Sequence, residues 1–206
     1  MELDTRFKKT TLEQWVPVAK GTALEAAEVR YWKAQLKYRF SHEFATACYG
    51  CSWRSDGRLV ACGDALGGVH VVAATTGTNL RRMSGGGKVA ARATAWRADG
   101  LAVLSGRDDG DSSLWDVSTG ARILGFEHES DVRSVARWSA QTWVTSSYDG
   151  IVRVWDERKP QPVARLEHAA PIAALAPDGD VAASAGGTND VVWDQAQHRT
   201  MHTFKD

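Results

Sequence analysis

The sequence has little of what marks membrane-spanning, secreted or polyanion-binding proteins. Its 206 residues carry no net charge, because 25 lysines and arginines balance 25 aspartates and glutamates, and this argues against a body that binds polyanions as a whole. No apolar run approaches the roughly 18 residues that cross a bilayer, and no secretion signal opens the chain, so we expect no membrane contact. Three cysteines fit a reducing, intracellular compartment.

Tryptophan, in contrast, is abundant and periodic. The chain has nine tryptophans against five prolines. Six of them form two series with nearly constant spacing, namely Trp53, Trp96 and Trp138 (43 and 42 residues apart) and Trp115, Trp155 and Trp193 (40 and 38 apart). A period near 40 residues indicates an internal repeat whose units each form one supersecondary structure.

The repeat divides the chain into four segments, 40–83, 84–126, 127–166 and 167–206. Each reads as four short strands with alternating apolar residues, separated by Asp-Gly or Thr-Gly turns. Three segments close their third strand with a Trp-Asp pair, at Trp115-Asp116, Trp155-Asp156 and Trp193-Asp194. Four strands per unit ending on Trp-Asp are typical of the blades of a WD40 β-propeller, so the predicted fold is all-β with four recognisable blades.

The third repeat matches this pattern best. His128, Ser147, Asp149 and Trp155 occupy the positions of the buried hydrogen-bond tetrad with which WD repeats hold their strands together. The set also contains the residue types of a Ser-His-Asp triad, but a tetrad buried inside a blade has no access to substrate. We interpret it as structural and predict that the protein is not an enzyme.

Two short motifs could carry a metal or a phosphate, and both are weak. Cys48 and Cys51 have the spacing of a zinc knuckle, but no second pair exists, and a spacing of three on one strand places two side chains on opposite faces. The segment Gly85-Gly-Gly-Lys88 resembles a phosphate-binding loop without the Ser or Thr that should follow the lysine. We therefore expect no metal, no cofactor and no small-molecule substrate.

Four blades leave a typical WD40 ring incomplete, and the open ends expose strand edges that invite association. Three explanations stay open: a fragment or a shortened gene product, a ring completed by another chain, or a closed ring of four blades. The last requires differently shaped blades. We favour a reduced relative of a longer protein that is held in place by partners.

Residues 1–39 do not follow the repeat and form an N-terminal arm. Thr22 and Glu25 make a capping box for a short helix predicted over about 22–38. The arm carries eight basic and five acidic residues, a net charge of +3. We interpret its basic stretch Arg6-Phe-Lys-Lys9 as a solvated tail in preference to an RNA-contacting or nuclear-targeting segment.

Several stretches resemble the U3 small nucleolar RNA-associated protein 15 family. They are Val29-Arg-Tyr-Trp-Lys33, the run from Arg54 to Gly68, the run from Thr145 to Arg158, and Ala185-Gly-Gly-Thr-Asn189. The first and fourth repeats also lack the turn aspartate where the family lacks it, because Leu66 and Gly187 stand there. The resemblance covers about residues 29–204, without the family's later blades and its C-terminal helical domain.

This resemblance implies a non-enzymatic scaffold of ribosome biogenesis. It would act in small-subunit (18S) rRNA processing within the U3 small nucleolar ribonucleoprotein, the small-subunit processome. The implied partners are other processome proteins, including WD40 subunits, and pre-ribosomal RNA or the U3 particle, reached directly or through other subunits. The implied location is the nucleus, in the nucleolus.

An alternative function is suggested by the end of the third repeat. Residues 149–158 resemble the box through which WD-repeat substrate receptors dock on cullin-RING ubiquitin ligases, with Arg158 as the contact to the adaptor. Many WD repeats carry Trp-Asp-x-Arg incidentally, so this interpretation ranks below the first.

The repeat pattern also predicts where a partner would bind. The residue before the turn aspartate and the start of the first strand face the same surface of a propeller, where loops on a rigid scaffold make contacts. The candidate partner-binding residues there are Asp108, Asp131, Arg133 and Tyr148. We expect Arg133 and Tyr148 to be the anchors.

Overall fold

The computed structural model describes residues 6–11, 14–18, 44–86, 88–168, 170–178, 181–187, 189–194 and 199–205. The chain divides into two compact units, residues 1–41 and 42–206. In the first unit, strand β1 (Arg6–Thr11) pairs antiparallel with β2 (Gln14–Val18). The helix predicted over 22–38 lies outside the described residues.

The second unit contains four four-stranded antiparallel sheets, one in each repeat. The first sheet is β3 (Cys48–Trp53), β4 (Leu59–Asp64), β5 (Val69–Ala73) and β6 (Asn79–Met83). The second is β7 (Ala91–Trp96), β8 (Ala102–Arg107), β9 (Asp111–Asp116) and β10 (Arg122–Glu127). The third is β11 (Val132–Arg137), β12 (Thr142–Ser147), β13 (Ile151–Asp156) and β14 (Ala164–Glu167). The fourth is β15 (Ala174–Asp178), β16 (Val181–Gly186), β17 (Asn189–Asp194) and β18 (Arg199–Lys205).

Strands within a sheet follow one another in chain order, as hairpins require. Tight turns join them where the sequence has Asp-Gly, and Gly150 adopts the left-handed conformation (φ 77°) that such a turn needs. The prediction of an all-β fold built from WD40 blades is therefore confirmed. No helix occurs within the ranges that the structure describes.

The apolar core lies between the sheets, because each sheet is apolar on both faces. The first and second sheets share a cluster around Ala61, Val71, Val103 and Trp115. Equivalent clusters join the second sheet to the third and the third to the fourth. The second and third sheets are therefore covered on both faces, and this double coverage is what makes a single blade dependent on its neighbours.

Three of the first strands begin with a β-bulge. The register shifts between Cys48 and Gly50, between residues 91 and 93, and between residues 132 and 134. The extra residues are therefore Tyr49, Arg92 and Arg133. A bulged residue leaves the ladder and its side chain is aimed away from the regular face of the sheet, which here places all three at the same end of their sheets.

Candidate partner-binding surface

A buried tryptophan holds the inner strands together in three of the four sheets. The indole N–H groups of Trp115, Trp155 and Trp193 each donate to a hydroxyl on the preceding strand. The acceptors are Ser105 at 2.9 Å, Thr145 at 2.7 Å and Ser184 at 2.8 Å. The aspartates that follow in the second and third sheets cap the next turn, because the Asp116 carboxylate accepts from the Thr119 backbone and the Asp156 carboxylate accepts from the Arg158 backbone.

The tetrad predicted in the third sheet is correct in three members and wrong in one. Thr145, not Ser147, provides the hydroxyl, because it accepts from the Trp155 indole and lies 2.5 Å from the His128 Nε2 atom. Ser147 instead donates to the Ser130 carbonyl and accepts from the Asp149 backbone. Both hydroxyls lie on the same face of β12, and the indole extends only as far as the nearer one.

An arginine completes this network, and the sequence did not indicate it. The buried Arg153 side chain donates to Asp149 at 2.6 Å and also to the His128 Nδ1 atom. Burial first, and the neighbouring Arg153 charge second, lower the pKa of His128 to about 4 against the opposing effect of Asp149. His128 is therefore neutral at physiological pH, with Nδ1 accepting from Arg153 and Nε2 donating to Thr145.

The first sheet has no tetrad of this kind, and a hydrogen-bonded pair, Asp64 and His70, takes its place. Asp64 lies two residues before Leu66, which stands where the turn aspartate would be. The Asp64 carboxylate accepts from the backbone N–H groups of Leu66 and Gly68, as a turn aspartate does. It also lies 2.9 Å from the His70 Nε2 atom. Burial favours the neutral carboxyl, but these hydrogen bonds outweigh it and hold the pKa of Asp64 below its usual value. The network is structural and closed to solvent.

The fourth sheet has lost part of its network. Trp193 follows Ser184 by nine residues, one fewer than in the second and third sheets, and Gly187 lies where the turn aspartate would be. The Nε2 atom of His168 is buried without a hydrogen-bond partner among the described residues. The shorter turn therefore explains why this repeat keeps its histidine and tryptophan without a complete tetrad.

The predicted partner-binding residues do lie together, at the end of the sheets where the bulges are. The Arg133 guanidinium lies over the Tyr148 ring at 4.7 Å, 3.3 Å from the Asp108 carboxylate and 3.9 Å from that of Asp131. Tyr148 is exposed and the two carboxylates are partly exposed, so solvent and partners reach all of them.

The same surface continues onto the first sheet through two residues that the sequence reasoning missed. Arg92 makes a bidentate contact with Asp108, with both of its Nε–oxygen distances at 2.8 Å. Its guanidinium lies 4.0 Å from the centre of the Tyr49 ring. Tyr49, Arg92, Asp108, Arg133 and Tyr148 thus form one continuous row across three sheets, called here the arginine–tyrosine row. The position at the start of the first strand, from which Arg133 was predicted, was the signal that would have found its first two members.

Arg158 lies at the opposite end of the third sheet. Its guanidinium donates to both carboxylate oxygens of Asp156, at 2.8 and 2.6 Å, and the side chain is otherwise largely exposed. The arginine thereby caps the end of β13. It is accessible to a partner, but it is separated from the arginine–tyrosine row by the length of a strand, ~20 Å.

The three cysteines share one face of the first sheet. The prediction that Cys48 and Cys51 lie on opposite faces of their strand is therefore wrong. Cys51 pairs with Cys62, and Cys48 pairs with Asp64 two residues further on. The bulge at Tyr49 restores the two side chains to the same face. Burial raises the pKa of Cys62 to about 11 and also raises that of Cys48, so both thiols are poor nucleophiles.

The parts of the chain that the structure describes contain no group of three or more His, Cys, Asp or Glu side chains placed to hold a metal ion. A helix of the length and apolar character needed to cross a membrane is likewise absent from those parts.

The fold and the repeated tryptophan–hydroxyl pairs define the class: this is a WD-repeat protein of the β-propeller type. The WD domain, G-beta repeat family matches residues 121–156. A chain in the crystal structure of the mitotic checkpoint complex superposes with a TM-score of 0.72 at 22% identity, over 81% of this chain and 53% of that one. At that identity the likeness establishes the fold alone.

Sequence similarity then narrows the class. The U3 small nucleolar RNA-associated protein 15 homolog of Gallus gallus is 33% identical over 156 residues, which are 73% of this chain and 30% of that protein. The protein of the same name from Saccharomyces cerevisiae is 27% identical over 77% of this chain and 33% of its own length. The chain belongs to the U3 small nucleolar RNA-associated protein 15 family, and it spans about a third of the relatives it matches.

Proposed function

We propose that this chain is a non-enzymatic scaffold of ribosome biogenesis, acting in small-subunit (18S) rRNA processing within the small-subunit processome of the nucleolus. The relatives support this proposal, because their names associate them with U3 small nucleolar RNA and their similarity extends over the WD repeats. The buried networks are structural, so the chemistry available to this fold is recognition at its surface.

The arginine–tyrosine row is the observation that carries the proposal. Its two arginines are balanced by Asp108 and by Asp131 beside it, so the surface has little net charge. Phosphate binding relies on lysines and arginines that are free to displace counterions, whereas tyrosine and arginine are enriched at the centres of protein interfaces. The direct partner is therefore a processome protein, and pre-ribosomal RNA or the U3 particle is reached through it.

The test is affinity capture on the tagged 206-residue chain at low salt, with protein and RNA both identified. The double variant Arg133→Ala/Tyr148→Ala should recover at least tenfold less of the processome proteins, because each side chain is an interface anchor worth ~1–2 kcal/mol. The far-UV circular dichroism of this variant should match that of the unchanged chain, since both residues lie at the surface.

Arg158→Ala is the matched control, because it removes an arginine at the other end of the same sheet. It should leave the capture of processome proteins unchanged. Capture of cullin adaptors that disappears with Arg158→Ala would replace this proposal with the ubiquitin-ligase function. Loss of the circular dichroism signal in the double variant would make Arg133 and Tyr148 structural and remove the proposed binding surface.

A further inference from the structure

A cavity of about 430 Å³ lies between the fourth strands of the second and third sheets. Its walls come from β10, from the connection between β10 and β11, from β13, and from residues 160–162 together with β14. The volume is within the range of ligand sites in proteins, roughly 300–1,000 Å³. None of its lining residues belongs to the arginine–tyrosine row, so the cavity is a separate feature of the surface.

Two arginines lie side by side in the wall of this cavity. Arg153 on β13 and Arg165 on β14 are directly opposite each other across the two strands. Like charges in such a position repel each other and destabilise a sheet. Asp149 compensates Arg153 through its contact at 2.6 Å, whereas Arg165 has no ion pair with any residue that the structure describes. The pair therefore has one positive charge that its neighbours on the same sheet do not neutralise.

The Arg153 side chain also has a donor without an acceptor. The side chain is 1% exposed, and both of its hydrogen bonds, to Asp149 and to His128, leave from the Nη1 atom. Its buried Nε atom has no hydrogen-bond partner among the described residues. Because a buried N–H group without an acceptor is costly, an acceptor that enters from the cavity would be stabilising.

Arg165 lies close enough to act on the same buried network. Burial first and the Arg153 charge second lower the pKa of His128, and the Arg165 charge adds to them. The inner end of the cavity, next to this histidine, is therefore positively charged.

We propose that this cavity binds a carboxylate group, and that the carboxylate belongs to an acidic side chain of an extended protein segment. Its oxygens accept from the Arg153 Nε–H group and from the Arg165 guanidinium, which neutralises the pair of arginines and gives the buried donor an acceptor. The cavity is larger than one carboxylate side chain fills, so flanking residues of the segment enter as well and contact the two prolines of residues 160–162.

Two glutamates argue against nucleic acid as the source of the anion. Glu127 and Glu129 are exposed and line the same cavity, on the side of the second sheet. A nucleic acid that placed one phosphate beside the arginines would bring its neighbouring phosphates towards these two carboxylates, and like charges brought together in a complex cost binding free energy. A single carboxylate between uncharged residues avoids this repulsion.

A nuclear magnetic resonance titration of the 206-residue chain tests the proposal without any processome partner, so its failure is distinct from that of the proposed function. The probes are the capped tripeptide acetyl-Ala-Glu-Ala-amide and its uncharged counterpart of the same shape, acetyl-Ala-Gln-Ala-amide. The glutamate peptide should shift the Arg153 Nε–H resonance, and the glutamine peptide should not. Equal shifts, or no shift with either peptide, would overturn the proposal.

Variants of single arginines locate the binding. Arg165→Gln should weaken the binding of the glutamate peptide about tenfold, because it removes a charge-assisted hydrogen bond. Arg137→Gln is the matched control, since Arg137 is an exposed arginine of the same sheet that does not line the cavity, and it should leave the affinity unchanged. Equal effects of the two substitutions would contradict the site.

Thermal unfolding without any probe gives an independent result. Arg165→Gln should raise the unfolding midpoint, because it removes the repulsion between the two opposed arginines. A lower midpoint would show that the chain itself already compensates Arg165, and the argument for an anion at this place would be lost.

Two further probes identify the source of the anion. Butyrate carries the carboxylate of a glutamate side chain without the peptide, and it should bind more weakly than the glutamate peptide because it lacks the flanking residues. Equal or tighter binding of butyrate would overturn the protein segment and assign the cavity to a small carboxylate. Hexauridylate RNA should leave the Arg153 resonance unshifted, and a shift at lower concentrations than the peptide requires would replace the carboxylate with a phosphate.

Discussion

Buried hydroxyl groups connect the strands of this protein at the scale of single residues. A tryptophan indole has one donor and no acceptor, so burying it inside a sheet requires an acceptor nearby. Serine or threonine on the neighbouring strand provides that acceptor in three sheets. In the third sheet the same hydroxyl also lies within hydrogen-bond distance of a neutral histidine, which makes Thr145 the most connected residue of its sheet.

Replacing Thr145 with valine should therefore be costly. Thr145→Val keeps the shape of the side chain but leaves the Trp155 and His128 donors without partners, and we expect a loss of ~3 kcal/mol in the free energy of unfolding. Ser147→Ala removes two hydrogen bonds with the backbone, one donated to the Ser130 carbonyl and one accepted from the Asp149 N–H, and should cost ~1–2 kcal/mol. Urea unfolding of both variants measures the difference. A larger loss for Ser147→Ala would contradict the tetrad as the structure arranges it.

The sequence could not decide between these two hydroxyls. Thr145 and Ser147 are two residues apart on one strand, so alternation places both on the same face. The pairing of Trp143 with Trp155 fixes where the indole begins, and only the folded register shows that it extends to Thr145. The sequence also did not predict that Arg153 belongs to the buried network, because an arginine in a strand usually points to solvent.

At the scale of elements, close contact between sheets depends on residues without side chains. A Cβ atom on Gly63 would lie 2.5 Å from the Ala91 carbonyl oxygen and 3.0 Å from its Cβ atom, in the neighbouring sheet. Neither atom can move without displacing β7. The glycine therefore sets the distance between the first two sheets.

Gly63→Ala should consequently lower the free energy of unfolding by ~2–3 kcal/mol, because overpacking forces the two sheets apart. Cys62→Ala is the control, since the adjacent side chain points to the other face of the sheet and its loss should cost less than half as much. Thermal or urea unfolding provides the measurement. Equal effects of the two substitutions would show that the junction tolerates a methyl group.

The strands and their order follow from the sequence, but the bulges do not. Alternation of apolar residues and the Asp-Gly turns located sixteen strands in four sheets. A bulge adds one residue to a strand without a distinctive sequence, since Tyr49, Arg92 and Arg133 have little in common as residue types. For this reason Cys48 was assigned to the wrong face, and Tyr49 and Arg92 were not recognised as neighbours of Arg133, which was selected from its position at the start of its strand.

At the scale of the whole molecule, buried ionisable groups make stability depend on pH. The pKa of His128 is about 4 in the folded protein, below its ordinary value of 6.5. Between these two pH values the unfolded chain binds a proton at this histidine and the folded chain does not. This group therefore leaves stability unchanged above pH 6.5 and lowers it progressively from pH 6.5 to 4. Asp64 and Asp149 have lowered pKa values, and their contribution is present above pH 3.8 and lost as the pH falls further.

We expect the free energy of unfolding to fall by ~3 kcal/mol between pH 6.5 and 4, from the shift of one proton. His128→Gln should be less stable at neutral pH and should have a flatter profile in this range. Gly63→Ala serves as a reference, because it should shift the curve downward without changing its slope. A His128→Gln profile as steep as that of the unchanged chain would assign the pH dependence to other groups.

The sequence by itself determined the repeat, the four blades and the family, and it predicted that Arg133 and Tyr148 lie at the same end of the sheets. These depend on signals along the chain, namely the spacing of tryptophan at 38 to 43 residues, and the Asp-Gly turns and alternating apolar residues, which each act over a few residues. Only the tertiary structure decided which hydroxyl meets the indole, how the bulges aim Tyr49 and Arg92, and that Arg153 and Arg165 line one cavity. Those facts depend on strand register and on the packing of one sheet against the next, which bring together residues that the sequence keeps some 40 positions apart.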